Sequence, residues 1–410
     1  MRKTELLAPA GDVEKLKAAI RCGADAVYFG TGALSLRQGA ENLSPEEIRM
    51  AMDFLHERGK RGYLALNIYA RNDDLPEIRR LLHALRSGLP DAFLVSDPGI
   101  LDILKEEIPE AEIHLSTQTN LTNLAAARFW VRQGVRRLVL ARELSLAEIR
   151  SLRDGLPEEI ELEAFVHGAM CMAYSGRCLL SSFMTGRDAN RGACAHPCRY
   201  RYALLEEKRP GEYFPIEEDS RGSYILHSRD LCMIRHLPDL IRAGVTSLKI
   251  EGRNKGVYYC ASVVRAYRAA LNAWEDDPEG WAFQEDWQTE LEKAGHRPFT
   301  TGFFYGPPGP AAQAPETSAE IRPYLFCGRV LAYDEEEGRA LVEQRNKMVL
   351  GDTVEFFGPS IRFRTQVIRA LYDAETGAAL TEAPHPRQRL WMPLDQPAVP
   401  GDLIRKRVTN

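Results

Sequence analysis

Five cysteines crowd the middle of this chain. Cys171, Cys178, Cys194 and Cys198 follow one another with six, fifteen and three residues between them, and Cys232 comes after an intervening segment. Thiols at this density have three physical uses: disulfides, a zinc site or an iron–sulfur cluster. Zinc favours close pairs, and Cys194-x3-Cys198 is the one such pair here; four thiolates also satisfy a cubane cluster. Unliganded core thiols are the bland reading. Five thiols for four places leave one spare, which spacing does not name. Cys22, Cys260 and Cys327 are scattered through other elements and read as core. Arginines share the stretch: Arg177, Arg187, Arg191, Arg199 and Arg201. A guanidinium fork matches phosphate or carboxylate oxygens, so such a group beside a metal centre points to an anionic substrate.

These residues need elements to position them, and the chain supplies a steady alternation. Apolar strand runs are predicted at Glu5–Ala8, Ala24–Gly30, Arg61–Tyr69, Ala92–Ser96, Glu112–Ser116, Arg137–Ala141, Glu159–Val166 and Thr246–Ile250. Helical runs separate them, among them Ser44–Glu57, which opens with Ser44 and Glu47 spaced as a capping box and Pro45 at its first turn. Eight buried parallel strands predict an α/β chain with a (β/α)8 TIM-type barrel over residues 1–274. An open doubly wound sheet is the alternative, but Gly30-Thr31-Gly32 lacks the third glycine of a dinucleotide fingerprint. A cysteine-rich insertion, about 168–245, separates strands seven and eight. It is expected to hold a hairpin (Arg201–Glu206 with Tyr224–His227) and a helix, Leu231–Ala243. Residues 275–320 read as a linker with one helix near Trp287–Ala294, and 321–410 as a small all-β barrel module.

On a barrel the strand ends share one mouth. Glu163, His167 and Glu251 are the candidate catalytic groups there, and Arg142, Lys249 and Arg253 the candidate substrate cations. Glu143, Ser116, Thr117 and Gln118 stand at similar positions, and each of these residues alone could equally serve a structural ion pair or hydrogen bond. Arg187, Arg191 and Arg199 are candidate phosphate contacts in the loop. No His-Glu-x-x-His or Gly-x-Ser-x-Gly occurs, although His167 could in principle serve a nucleophilic Cys171.

Composition bounds the rest. The 410 residues are 44% hydrophobic and 27% charged, ordinary for a globular protein with a sizeable core. A net charge of -5 carries no global signal for nucleic acid, though local patches still bind phosphate. No window approaches the roughly 18 apolar residues of a membrane span, so a cytoplasmic protein is expected. Thiols stay reduced there, which argues against a disulfide framework.

Glu163–Ser181, EAFVHGAMCMAYSGRCLLS, resembles the signature of the collagenase-like peptidases of unassigned catalytic type. RDANRGACAHPCR at 187–199, SRDL at 228–231, ELLAPAG near the N-terminus, Tyr28-Phe29-Gly30 and KIEGR at 249–253 extend the likeness over nearly the whole chain. The peptidase label is old. Better-understood relatives look like oxygen-independent hydroxylation proteins with a [4Fe–4S] cluster; one branch acts in ubiquinone synthesis and others hydroxylate RNA. The length and β module look most like the branch that turns a tRNA wobble uridine into 5-hydroxyuridine, with prephenate as implied oxygen donor. The resemblance implies cluster ligands Cys171, Cys178, Cys194 and Cys232, with Cys198 as runner-up to Cys194. It implies carboxylate binding by Arg142, Lys249 and Arg253, and tRNA contacts by Arg187, Arg191, Arg199 and the C-terminal module. Three rival readings stand beside it: a zinc site, an endopeptidase, and a non-catalytic iron–sulfur RNA-binding partner. Relatives in ubiquinone synthesis act as heterodimers, so homodimer and heterodimer are both open.

Overall fold

A computed structural model describes residues 3–32, 34–35, 42–171, 173–199, 229–307 and 320–408, with the short strands Leu204–Leu205, Tyr213–Phe214, Glu218–Asp219 and Gly222–Ser223. Eight parallel strands close into a barrel. They are Glu5–Pro9, Ala26–Gly30, Arg61–Leu66, Ala92–Val95, Ile113–Leu115, Arg137–Val139, Glu161–Ala169 and Ser247–Ile250. Each pairs with the next, and the eighth pairs with both the seventh and the first: Ser247 lies opposite Glu163 on one side and Glu5 on the other. The strands are apolar and almost wholly buried because helices cover the outside. Local chemistry starts those helices, at Ser44 as the sequence predicts. Asp12 accepts from Lys15 N at 2.7 Å, and Ser44–Glu47 and Ser145–Glu148 both form reciprocal capping boxes.

Inside the barrel, Leu7, Tyr28, Tyr63, Ala65 and Leu94 make a small apolar plug. A charged layer adjoins it. Arg137, 1% exposed, donates to Glu5 at 2.5 Å and Glu163 at 3.1 Å, and Tyr63 Oη donates to Glu5 at 2.6 Å.

The insertion departs from expectation in two places. Leu204–Leu205 pairs with Tyr213–Phe214; Tyr224–His227, the second arm of the predicted hairpin, lies outside the described residues. Leu231–Ala243 is not one helix. Asp230–Cys232 is a strand, antiparallel to the end of the seventh barrel strand and parallel to Phe299–Thr300, and the helix is confined to Leu237–Arg242. Pro238 at the first turn of that helix fits this later start.

Residues 275–307 are no slack linker. Helix Glu285–Lys293 packs on the long helix Val257–Asp276, Trp287 and Leu291 are buried, and Phe299–Thr300 completes the sheet edge. The C-terminal strands form an antiparallel eight-stranded sheet with its own core of Cys327, Val330, Val342, Val354, Phe356 and Leu390. That module docks through buried charge: Arg405 donates to Glu290 at 2.7 and 2.8 Å and to Glu355 at 2.7 Å.

Candidate functional site

The strands' C-terminal ends open into a cavity of about 260 Å³. Its wall carries four thiols, Cys171, Cys178, Cys194 and Cys198, and four cations, Arg142, Lys249, Arg253 and Lys255, with Glu251 among them. Each cation is held in place. Lys249 Nζ, buried, donates to Glu163 Oε1 at 2.6 Å and lies 4.3 Å from the Tyr28 ring centroid. Arg142 spans from Glu251, at 3.3 Å, to the face of Phe165, at 4.0 Å. Arg253 Nη2 donates to Ser35 Oγ at 2.7 Å, and Gly30 makes room for it, since a Cβ there would meet both Ser35 Oγ and the guanidinium. The cavity therefore presents rigid positive charge, the setting in which anion recognition is strongest.

Glu163 is not at the surface of this cavity. It is fully buried beneath Lys249; burial alone would raise its carboxyl, but Lys249 and Arg137 outweigh that and hold it below the usual range. It positions a lysine and has no route to a substrate proton.

His167 is turned away altogether. Glu163 and Phe165 alternate with outward residues, but the register slips opposite Lys249 and Ile250. An irregularity of one residue flips the side chains beyond it. His167 consequently packs on the outer face against Tyr259, Tyr267 and Phe299, where burial pushes its imidazole down to about 3. It remains neutral at any physiological pH and does not reach Cys171's chemistry. Cys232 lies directly opposite His167 and shares its face. Its thiol sits 4.0 Å from the Tyr267 hydroxyl and burial pushes it up to about 11. The structure thus gathers Cys198, not Cys232, with the other three thiols. Next to it, Gly168 (φ +108°) has the Glu251 carbonyl where a Cβ would stand, so the strand leaves the barrel through a glycine-only conformation.

The thiol loop is tied to the barrel by specific polar contacts. Asn190 Oδ1 accepts from Cys178 N at 3.1 Å and its Nδ2 donates to Cys178 O at 2.9 Å, so one amide clamps both sides of that residue. The Asn190 carbonyl accepts from Tyr69 N at 3.1 Å, beyond the third strand. Arg191 grips both Asp74 oxygens at 2.7 Å, which makes it a loop anchor rather than a phosphate contact. Arg187 is exposed and donates to Ala193 O at 3.0 Å; the Arg199 side chain lies outside the described residues. Asn120 and Ser175, both left-handed non-glycine residues (φ +55° and +41°), meet at the turn after Cys171. The conformation costs a serine about 1–2 kcal/mol and an asparagine less, since its side chain bonds locally. Glu143 offsets that cost by accepting from Ser175 N at 2.6 Å and Oγ at 2.5 Å, and Asn120 Nδ2 donates to Tyr174 O at 2.7 Å.

Tyr28, Asn67 and Lys255 also line the cavity and escaped the reading by strand ends. The Tyr-Phe-Gly motif at 28–30 is the signal that could have flagged the first of them. Among the described residues no three His, Cys, Asp or Glu side chains converge as an ion would need. No described helix is long and apolar enough to cross a membrane.

A (β/α)8 barrel with a thiol-lined, cationic mouth and an antiparallel C-terminal module is the class that fold and site define. The chain belongs to peptidase family U32: residues 11–314 match that family and residues 322–405 match its C-terminal domain. It is 41% identical to the tRNA hydroxylation protein P1 of Bacillus subtilis, covering 99% of this chain and 95% of that relative. It is 35% identical to the tRNA hydroxylation protein P of Escherichia coli (97% and 95% covered). It is also 30% identical to a protein of Porphyromonas gingivalis named collagenase (98% and 97% covered).

Proposed function

We propose that this protein is a cytoplasmic tRNA hydroxylase that converts a wobble uridine to 5-hydroxyuridine, with a [4Fe–4S] cluster at the mouth and prephenate as oxygen donor. Near full-length similarity to proteins named for tRNA hydroxylation supports the reaction class. The observation that carries the site is that four thiols and four cations line one cavity. Soft thiolates suit iron–sulfur chemistry, and a cubane takes each thiolate on a separate iron. Cys171, Cys178, Cys194 and Cys198, which line the cavity, would hold the cluster. When bound, it supplies redox capacity beside the cavity. The chain's own part is to bind and orient: Arg142, Lys249 and Arg253 take the carboxylates of a small acid, and the barrel walls keep it dry. Replacing the uridine C5–H by C5–OH oxidises the base by two electrons, so the donor must leave reduced by two.

The test begins with protein purified without oxygen. About four irons and four sulfides per chain are expected, with 5-hydroxyuridine formed on hypomodified tRNA when prephenate is added. Cys171→Ser and Cys198→Ser should lose both; Cys232→Ser should keep the cluster. A Cys171→Ser protein with full iron and full turnover would sink the assignment.

One observation favours a second reading. Cys194 Sγ lies 3.9 Å from His196 Nδ1, a thiol–imidazole pair at the mouth. Gelatin cleavage by metal-free protein, abolished in Cys194→Ser, would establish it.

A further inference from the structure

Cys171 borders two spaces. On its inner side is the cationic cavity; on its outer side is an open cleft of about 790 Å³, lined by Glu143, Glu148, Cys171, Tyr174 and Phe303. We infer that this outer cleft receives an unpaired nucleobase stacked on Tyr174, so that base and small acid approach the thiols from opposite sides. The inference rests on the proposed tRNA substrate and gives it a second, separate site.

Three features of the cleft lead there. Tyr174 is 52% exposed, a large ring left in solvent in the cleft that Cys171 borders. Its backbone is nonetheless fixed: the carbonyl is held by Asn120, and the next residue is locked left-handed by both oxygens of Glu143. A fold that constrains two non-glycine residues in a rare conformation to present one exposed ring is presenting a platform. Phe303, half-buried, lines the same cleft and widens the apolar surface. The charge is the third feature. The cleft's ionisable groups besides the thiol and the phenol are carboxylates, Glu143 and Glu148, which repel phosphate. An uncharged base with N–H donors suits such walls and a backbone phosphate does not, so the ligand enters base first with its sugar-phosphate outside. Single-stranded loops expose bases in that manner, and aromatic rings are the usual surface on which they stack. The inner cavity, with Arg142, Lys249, Arg253 and Lys255 in its wall, holds the charge that the acid needs.

The probe is an anticodon stem-loop RNA carrying one 2-aminopurine at the wobble position, whose fluorescence falls when the base stacks. Wild-type protein and Tyr174→Phe should quench it with equal affinity. Tyr174→Ala should lose the quench and bind about 5- to 150-fold more weakly, the worth of one stacked base, with iron content and melting temperature unchanged. Tyr174→Ala that quenches and binds like wild type overturns the cleft while leaving the tRNA reading intact. Wild-type protein that binds no stem-loop overturns both.

Discussion

Lys249 shows how much one buried contact decides. Burial pushes its ammonium down and Glu163 pulls it back up, so the lysine's charge in the mouth depends on a carboxylate the substrate never meets. Glu163→Gln removes that support. KM for the acid donor should rise about tenfold or more, the worth of one charge-assisted hydrogen bond, and the alkaline limb of the rate profile should move to lower pH. An unchanged limb would show that Lys249 needs no such help. Asn190 offers a parallel case. Asn190→Ala deletes both amide bonds to Cys178, each worth about 0.5–1.5 kcal/mol; Asn190→Asp keeps the acceptor and loses the donor. Iron retained after timed exposure to air should fall in the order wild type, Asp, Ala. The thiols of this mouth and three of its four cations were legible in the sequence, the thiols by their spacing and the cations by their place at strand ends; Lys255 was not. The facing of His167 and Cys232 was not: one slipped register, set by how strands seven and eight meet, turns both away. The fate of Glu163 was hidden for a similar reason, since its partner Arg137 comes from another strand.

Among the elements, the eight strands could be read from their apolar runs, and the start of the helix after Ser44 from its capping box. Two segments misled. Leu231–Ala243 has helical composition, but pairing with the seventh strand claims its first residues; tertiary contact overrode propensity. Residues 275–307 look like a linker because Trp, Pro and Gly recur there, yet Glu290 in their helix ion-pairs with Arg405 away from solvent: both are at most 2% exposed. Arg405→Ala takes the fork from buried Glu290, which keeps only Arg265 at 3.5 Å, so the loss is at the low end of the range for a broken buried pair, about 3 kcal/mol. Urea unfolding should then show the C-terminal module melting before the barrel, whereas a single unshifted transition would mean the apolar docking alone suffices.

For the molecule as a whole, the barrel's charged layer sets its acid limit. Burial would raise Glu5, but Arg137 and its neighbours outweigh that and lower it from 4.5 to about 2. Its contribution is therefore complete above about pH 4.5 and lost as pH falls toward about 2. Circular dichroism should show stability draining through that window, and Glu5→Gln, less stable at neutral pH, should have a flatter profile there. The pairing of Asp230 with Ala169 carries a different consequence. The chain leaves the barrel at Ala169 and returns beside it, so the whole excursion from 170 to 229 starts and finishes at one point, like a pendant on a clasp. Such a unit is portable. Exchanging it for a short turn should leave a barrel that still folds, and grafting a relative's excursion onto this clasp should transfer cofactor and substrate preference together.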